Sequence, residues 1–357
     1  MKERISKIML LCAVLAVTAC CGSGQKGVRL IVDESRQKVD VFFDGKPFTS
    51  YIYPDDLEKP VLYPVYTANG TVVTRGFPRD PRPFERIDHP HHVGIWFSFG
   101  DVNGLDFWNN SCAIPEDEKL RYGAVRHRQI AHVKNGRDKG ELSVVCDWVD
   151  HAGSTLLQED THFVFGGKDD RRIIERITSL TAHCDTVVFT DSKEGLIAIR
   201  ADRAFEEPSD RPDFFLDLHG RPGDAPVIRN EGVNGVYRNS EGLENARNVW
   251  GKPARWVCLS AEKNGEQISV AILDHPDNPG YPTRWHTRGY GLFAANSMGS
   301  RVFDPSLPLF RLTLKRGETV SFRYCIVIKT DGFATDRELD ELSEEMNRHN
   351  TKTFKTK

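Results

Sequence analysis

The sequence lacks the cysteine spacing of a zinc cluster or a disulfide scaffold. Its 357 residues include eight cysteines, and no two of them form a CxxC pair. Cys146 and Cys325 lie within strand-like stretches, where we expect small buried side chains. Neither bound zinc nor a disulfide framework is therefore predicted to hold the fold.

Signals for nucleic acids and for nucleotide cofactors are also missing. The formal net charge is −3 and no basic block occurs along the chain, so nucleic acid is not an expected partner. No Rossmann or P-loop glycine pattern joins a predicted strand to a helix, which argues against a tightly bound dinucleotide. No cofactor is predicted from these patterns.

The chain has only one hydrophobic run of note, and it lies at the N-terminus. Lys2, Arg4 and Lys7 precede the apolar residues 8–17, a layout typical of a secretory signal peptide. A transmembrane anchor is the alternative, but the run is shorter than the roughly 18 residues that span a bilayer. A cleaved signal is therefore favoured.

Cys20 follows this run directly after small residues, as in the signals of bacterial lipoproteins. This pattern predicts a signal peptide over residues 1–19, lipidation of Cys20, and a flexible tether over residues 20–27. Residue 21 is not Asp, which favours the outer membrane over retention in the inner membrane. We expect an outer-membrane lipoprotein, facing the periplasm or the cell surface, that contacts the membrane through its lipid only.

Residues 28–357 carry the pattern of one all-β domain. Between Val320 and Ile328, large apolar residues alternate with smaller or polar ones, which predicts a strand with one buried face. Further strands are expected at 28–32, 39–43, 141–149, 155–165, 172–180, 195–201, 255–260 and 267–273. Because no long helical pattern separates them, they predict a large antiparallel β-sandwich.

One helix is expected near the C-terminus, over residues 336–349. Leu339, Leu342 and Met346 recur there at helical spacing and form a single apolar stripe. The longest irregular segments are 76–92 and 202–254, and loops of this length in a compact β domain are often functional.

The segment Asp88-His89-Pro90-His91-His92 precedes a predicted strand over 93–99. On an extended chain, His91 and His92 would point to opposite faces, whereas His89 and His91 would share one. Two ligands are fewer than the three or four that a metal site needs. Three interpretations stay open: a catalytic or sugar-binding histidine, a divalent metal site completed by another segment, and a structural corner.

A carboxylate at a turn is the second candidate feature. Glu194 follows Lys193 just before a predicted strand, and a carboxylate in that position can serve as an acid or a base. A solvated pair of turn residues is the alternative.

The third feature is a proline-rich loop followed by aromatic and basic residues. A sugar ring can stack its C–H face on Trp or Tyr while its hydroxyls bond to His and Arg. Tryptophans that fill the core between two sheets are the alternative. The candidates in and near this loop are Asp274, His275, Trp285, His286, Arg288, Trp250 and Arg255.

Five segments resemble a bacterial family of unknown function that is often labelled "methane oxygenase PmoA". They are YPVYTANGTVVTRGFP (63–78), DHPHHVGIWFSFGDVNGLDFW (88–108), DSKEGLIAIR (191–200), RNSEGLENARNVWGKPARWV (238–257) and DHPDNPGYPTRWHTRGYGLFAAN (274–296). Together they span nearly the whole predicted mature chain. The label itself conflicts with the sequence, because such an oxygenase subunit crosses the membrane several times and no segment after the predicted signal has spanning length.

The resemblance implies a secreted or lipid-anchored protein with a sandwich similar to that of galactose mutarotases. In that fold a histidine and a carboxylate do acid/base work on a sugar ring, although a shared fold does not establish an activity. The family motifs fall here on His89, His91, His92, Glu194, Asp274, His275, Trp285, His286 and Arg288.

These residues favour a carbohydrate-active enzyme, namely a lyase, an epimerase or a glycoside hydrolase. Glu194 would be the general base, His92 or His286 the general acid, and Arg288 would bind a hydroxyl or a carboxylate. Retaining hydrolysis needs two carboxylates about 5 Å apart, and few such pairs are evident. The remaining candidates would contact a glycan or a sugar-derived molecule.

Two other functions remain open from the sequence. A non-catalytic glycan-binding lipoprotein would use the aromatic residues but gives no reason for so many histidines. A metal-dependent hydrolase would use the histidine cluster with a divalent metal.

Overall fold

A computed structural model describes residues 26–348. The predicted signal peptide, Cys20 and most of the predicted tether lie outside these residues. Residues 26–348 fold into two eight-stranded sheets and one two-stranded sheet, and every neighbouring strand pair within them is antiparallel. The prediction of a largely antiparallel sandwich is therefore confirmed.

The first sheet has the order β1-β2-β3-β4-β5-β11-β16-β15, and the second has the order β12-β13-β14-β18-β9-β8-β7-β6. The strands are β1 Val28–Asp33, β2 Lys38–Phe43, β3 Lys46–Ile52, β4 Val61–Val65, β5 Ile95–Phe97, β6 Ala124–Lys134, β7 Lys139–Val149, β8 Thr155–Lys168, β9 Arg171–Ala182, β10 Thr186–Thr190, β11 Ile197–Arg200, β12 Val236–Asn239, β13 Trp256–Lys263, β14 Glu266–Asp274, β15 Arg284–Arg288, β16 Leu292–Asn296, β17 Arg311–Lys315 and β18 Thr319–Lys329. The helices are α1 Ala246–Val249 and α2 Asp336–Arg348, with short 3₁₀ turns at Glu34–Arg36, Glu116–Arg121 and Arg203–Phe205.

The main core lies between the inner faces of the two large sheets. Phe97 of the first sheet packs against Phe322 of the second, with ring centroids 5.9 Å apart, and Phe48 meets Phe165 edge to face at 6.0 Å. Burial along β9 alternates at every residue, as expected for a strand with one face in a core.

The outer face of the second sheet is covered by α2. Leu339 and Met346 of the helix are buried against Trp256, Cys325 and other residues of β13, β14 and β18. Both faces of β18 are therefore buried from Phe322 to Lys329, whereas the alternation of residue types along this strand predicted one buried face. Thr335 and Glu338 form reciprocal hydrogen bonds at the start of the helix, the capping-box arrangement that satisfies free backbone donors.

The outer face of the first sheet carries the candidate site. Cross-strand pairing aligns Trp96, Ala198, Ala294 and His286 in one row across β5, β11, β16 and β15. Because the two central members of this row are alanines, no large sheet side chain stands between Trp96 and His286. Loop residues lie over this part of the sheet instead, among them Trp108.

No helix among residues 26–348 combines the length and the apolar character needed to cross a bilayer.

Candidate functional site

The histidine-rich segment forms a turn, and β5 begins only at Ile95. The backbone N–H of His92 donates to the carbonyl of His89 at 3.0 Å, and His89 has a φ of 45°. The chain is therefore not extended at His91 and His92, and the division between opposite faces that an extended chain would give does not apply here. Ring centroids lie 4.8 Å apart for His89 and His92, 4.3 Å for His91 and His92, and 5.6 Å for His89 and His91.

Two buried arginines hold this turn in place. The Arg75 guanidinium donates to the carbonyls of Asp88 and His89, both at 2.9 Å, and to that of His92 at 3.2 Å. Arg200, which is fully buried, donates to the Asp88 carboxylate at 2.7 Å and approaches Nδ1 of His92 at 3.3 Å. The positions of the imidazoles are thus fixed by side chains that lie outside the turn.

Asp88 orients His89. Burial alone would raise the pKa of Asp88, but Arg200, His89 and Arg75 together hold that pKa well below its ordinary value. The carboxylate is therefore ionised, and Nδ1 of His89 donates to it at 2.6 Å. Because the His89 side chain is 40% exposed, its Nε2 belongs to a ring that solvent or a ligand can reach.

His286 lies on the outer face of β15 and is buried. Its Nδ1 donates to the carbonyl of Lys193 at 2.9 Å, so Nε2 carries the lone pair, and this buried nitrogen has no hydrogen-bond partner. Burial, followed by the charges of Arg288 and Lys193, holds the pKa of His286 well below its ordinary value. His286 is thus a neutral imidazole with a defined tautomer and an unused basic nitrogen.

Seven side chains join these two regions in a closed ring of contacts, which we call the aromatic ring of the site. The centroid distances in order around it are 4.8 Å from His89 to His92, 6.2 Å from His92 to Trp108, 6.2 Å from Trp108 to His286 and 4.9 Å from His286 to Trp250. The guanidinium carbon of Arg288 lies 3.9 Å from the Trp250 centroid, and the Tyr290 and His89 centroids are 5.2 Å apart. The Arg288 charge acts on the Tyr290 hydroxyl, which completes the ring.

Glu194 is connected to the site through Lys193, the residue before it in the chain. Its carboxylate is paired with the Lys193 amine and accepts a hydrogen bond from Ser192 at 3.3 Å. The carbonyl of Lys193 is the acceptor for His286, which places this turn at the edge of the aromatic ring. Burial and the charge of Arg288 lower the pKa of Lys193.

His91 lies on the far side of the turn. It lines a cavity of about 120 Å³ with Lys59 and Asn110, and its buried Nε2 has no hydrogen-bond partner. Lys59 donates to the carbonyls of Trp108 at 2.9 Å and Asn110 at 3.2 Å, and burial lowers its pKa to about 8.

Trp285 and Arg255 do not join the aromatic ring. Trp285 is fully buried in the core between the sheets and donates its indole N–H to the carbonyl of Ala254 at 3.0 Å. Arg255 instead pairs with Asp340 of α2 at 2.9 Å. The positions of both side chains fit structural roles.

Asp274 and His275 lie at the end of β14 in the second sheet. The Asp274 carboxylate accepts hydrogen bonds from the amide of Asn278 at 2.7 Å and the backbone N–H of Thr283 at 2.8 Å. Burial raises its pKa to about 7. These contacts fasten the proline-rich loop that leads into β15, so Asp274 helps to place His286 without touching the ring.

Among residues 26–348, no group of three or more His, Cys, Asp or Glu is arranged to hold a metal ion. The three clustered histidines are held by ring stacking and by arginine.

The sequence interpretation missed Arg75, Asp88, Arg200, Trp108 and Tyr290 as parts of this site. A weak signal existed for Asp88, because an aspartate directly before a histidine can fix its tautomer. Trp108 and Tyr290 lie within the family-like segments, yet nothing in their spacing distinguishes them from core aromatics. Arg75 and Arg200 carry no local signal, since their contacts depend on strand pairing.

Solved structures with a similar chain path include two enzymes and a related protein. An α-galactosidase from Geobacillus stearothermophilus is 12% identical, with 85% of this chain and 41% of that chain covered and a TM-score of 0.41. An α-galactosidase from Lactobacillus brevis is 11% identical, with 85% of this chain and 39% of that chain covered and a TM-score of 0.36. A galactose mutarotase-like protein from Clostridium acetobutylicum is 13% identical, with 85% of this chain and 98% of that chain covered and a TM-score of 0.35.

The chain thus spans about two fifths of the length of these α-galactosidases. TM-scores below 0.5 are too low to establish a shared activity or substrate, and no curated protein matches the chain. The family-level match is different in kind, because it covers most of the chain. It agrees with the unknown-function family expected from the five segments, while the methane oxygenase label is not confirmed. Over residues 38–344 the chain matches, and therefore belongs to, a family of unknown function (DUF6807).

Proposed function

We propose that this protein is a carbohydrate-active enzyme that moves protons on a sugar held at the aromatic ring of the site. The observation that carries the proposal is His286, a neutral imidazole with a fixed tautomer and an unpartnered Nε2. A buried polar nitrogen without a partner is costly. A ligand that offers it a proton would remove that cost.

The surroundings of His286 suit a sugar. Trp250 and Tyr290 are half-buried at the ring, so each combines an apolar face for C–H groups with a polar edge. The Arg288 guanidinium, the Tyr290 hydroxyl and the His89 imidazole supply hydrogen bonds around the same ring. These are the contact types that fix the orientation of a polyol.

We assign His286 as the general base and His89 as the general acid. The neutral imidazole of His286 can accept a proton at physiological pH, while Asp88 holds Nδ1 of His89 and leaves Nε2 as the atom of His89 that would hand a proton to the sugar. The sequence also offers His92 as a candidate general acid. Its ring is sandwiched between His89 and Trp96, which suits positioning of His89.

The pair of imidazoles favours a lyase or an epimerase over a hydrolase. Hydrolysis by two carboxylates requires one free nucleophile or base and one acid. Asp88 is bound by two arginines, and Glu194 is paired with Lys193. Neither carboxylate is available in the arrangement that a glycosidase uses.

Lipid anchoring through Cys20 in the outer membrane completes the proposal and is supported by the N-terminal sequence alone. Incorporation of labelled fatty acid into the intact protein, and its loss in Cys20→Ala, tests this part independently of the site.

Deuterium exchange tests the catalytic proposal without requiring the product to be known. The protein is incubated in D₂O with glucose, galactose, glucuronate and galacturonate, and C–H signals are followed by NMR. We expect one sugar class to exchange or to be converted. His286→Asn keeps a donor for the Lys193 carbonyl but removes Nε2, and it should lower the rate about 10²- to 10⁴-fold.

His151→Asn is the matched control, because His151 is exposed in the turn between β7 and β8. Binding without exchange in the wild type would replace the enzyme proposal with the glycan-binding alternative. Equal rates in His286→Asn and in the wild type would contradict the assignment of the base.

A further inference from the structure

Arg288 carries a charge that no carboxylate of the site balances. Its guanidinium lies over the Trp250 ring at 3.9 Å, and its charge acts on the nearby Tyr290 hydroxyl. Within residues 26–348 Arg288 takes part in none of the ion pairs. A half-buried guanidinium over an aromatic ring is well placed to receive an anion in planar geometry.

The carboxylates near the aromatic ring are already engaged. Asp88 is held by Arg75, Arg200 and His89. Glu194 is paired with Lys193. The Asp106 carboxylate accepts hydrogen bonds from the backbone N–H of Trp108 at 2.8 Å and of Asn109 at 2.9 Å. None of these three carboxylates is paired with Arg288, so Arg288 can pair with an anionic group of a ligand.

We propose that the substrate is a sugar bearing a carboxylate, such as a uronic acid, and that Arg288 binds that carboxylate. This inference rests on the proposed function and specifies its substrate class. Lys193 also lies near Arg288, but its charge is paired with Glu194, so Arg288 is the cation that the carboxylate would meet. His286 and Arg288 are two residues apart on the same face of β15 and both contact Trp250, so a carboxylate bound to Arg288 would lie on the same side of the sheet as His286.

Chemistry favours a carboxylate over a sulfate or phosphate ester. A neutral imidazole is a weak base, so it needs a C–H bond that the substrate itself acidifies. The carbon next to a carboxylate meets this need once a guanidinium stabilises the charge that develops on the carboxylate oxygens. A sulfate or phosphate ester would bind to Arg288 but would not acidify a C–H bond in this way.

The proton and electron balance of the step is simple. The C–H proton passes to Nε2 of His286, and its electron pair moves into the carboxylate to give an enolate. Return of a proton from protonated His89 to the opposite face gives the epimer. Alternatively, the electron pair expels the oxygen substituent on the next carbon, His89 protonates that oxygen, and an unsaturated sugar acid remains.

Calorimetry with glucuronate, galacturonate, glucose, galactose and glucose 6-sulfate measures the preference directly. We expect a uronate to bind the wild type at least about 10-fold more tightly than the matching neutral sugar, and more weakly as salt is added. Arg288→Gln should abolish this preference, whereas Arg288→Lys should keep part of it. Arg316→Gln is the control, because Arg316 is exposed and pairs only with Asp185 among the ion pairs of the described residues.

The outcomes separate this inference from the proposed function. Tight binding and deuterium exchange of a neutral sugar, unchanged in Arg288→Gln, would overturn the carboxylate inference and leave the enzyme proposal intact. Equal binding of glucose 6-sulfate and the uronates, without exchange of either, would contradict both the carboxylate requirement and the chemistry. Absence of binding by every sugar would remove both proposals, and thermal melting of each variant shows that the protein tested is folded.

Discussion

Trp285 and His286 are consecutive residues of β15, and their side chains lie on opposite faces of the first sheet. The Trp285 indole is sealed in the core between the sheets, whereas His286 contacts Trp250 on the outer face, with centroids 4.9 Å apart. Period-two alternation along a strand produces this division. One step along the chain therefore separates a residue needed for folding from one available for chemistry.

Substitution of the two tryptophans should distinguish these roles. Trp285→Ala leaves a cavity in a packed core, so we expect a loss of about 3–5 kcal/mol in the free energy of unfolding, measured by denaturant titration. Trp250→Ala removes a half-buried side chain and should cost less stability while weakening sugar binding. Similar stability losses in both variants, with binding unchanged, would contradict the assignment of Trp250 to the site.

Asp88→Asn should strongly destabilise the protein. The substitution leaves the buried guanidiniums of Arg75 and Arg200 without their shared carboxylate, and breaking a buried pair in this way costs about 3–5 kcal/mol. Denaturant unfolding measures the change. Asp185→Asn, which breaks an exposed pair, should cost about 0.5 kcal/mol or less.

The same carboxylate predicts a stability change in acid. The folded pKa of Asp88 lies below its unfolded value, so its contribution is complete above about pH 4 and is lost as the pH falls through the folded pKa. In Asp88→Asn this part of the acid dependence should disappear. An unchanged acid dependence would show that Asp88 is not ionised in the folded protein.

Asp274 should have the opposite effect on stability. Its pKa in the folded protein is raised to about 7 by burial, so the folded state binds more protons than the unfolded state between about pH 4 and pH 7. Stability from this group should therefore fall as the pH rises through that window. Unfolding free energies at pH 5 and pH 8 should differ less in Asp274→Asn than in the wild type, and an equal difference would contradict the prediction.

Arg288→Gln should raise the pKa of His286. After burial, the Arg288 charge is the next cause that holds this pKa low, so its removal makes the imidazolium less costly. NMR titration of the His286 ring proton measures the shift, and the acid limb of any activity profile should move to higher pH with it. Arg316→Gln should leave the titration unchanged, and a shift of equal size there would refute a local effect.

Much of the fold could be predicted from the sequence, since strand alternation and the stripe containing Leu339 and Met346 are local patterns. The strand predicted over 93–99 is limited to Ile95–Phe97, and it begins late because Arg75 bonds the preceding carbonyls into a turn. No local pattern could reveal that contact, which joins residues brought together by the sheet. The candidate site was predicted in part for the same reason: His89 and His286 lie in recognisable segments, whereas their surroundings come from distant strands.

The contacts of Arg75 also determine whether the histidine segment can keep its structure outside this fold. Because the carbonyls of the turn are bonded to a side chain that precedes it by more than ten residues, a synthetic peptide of residues 86–108 lacks what brings the imidazoles together. Grafting this segment onto another scaffold would transfer three histidines but not their stacking. A search for distant relatives of this site should therefore require an arginine at the position of Arg75 as well as the HPHH string.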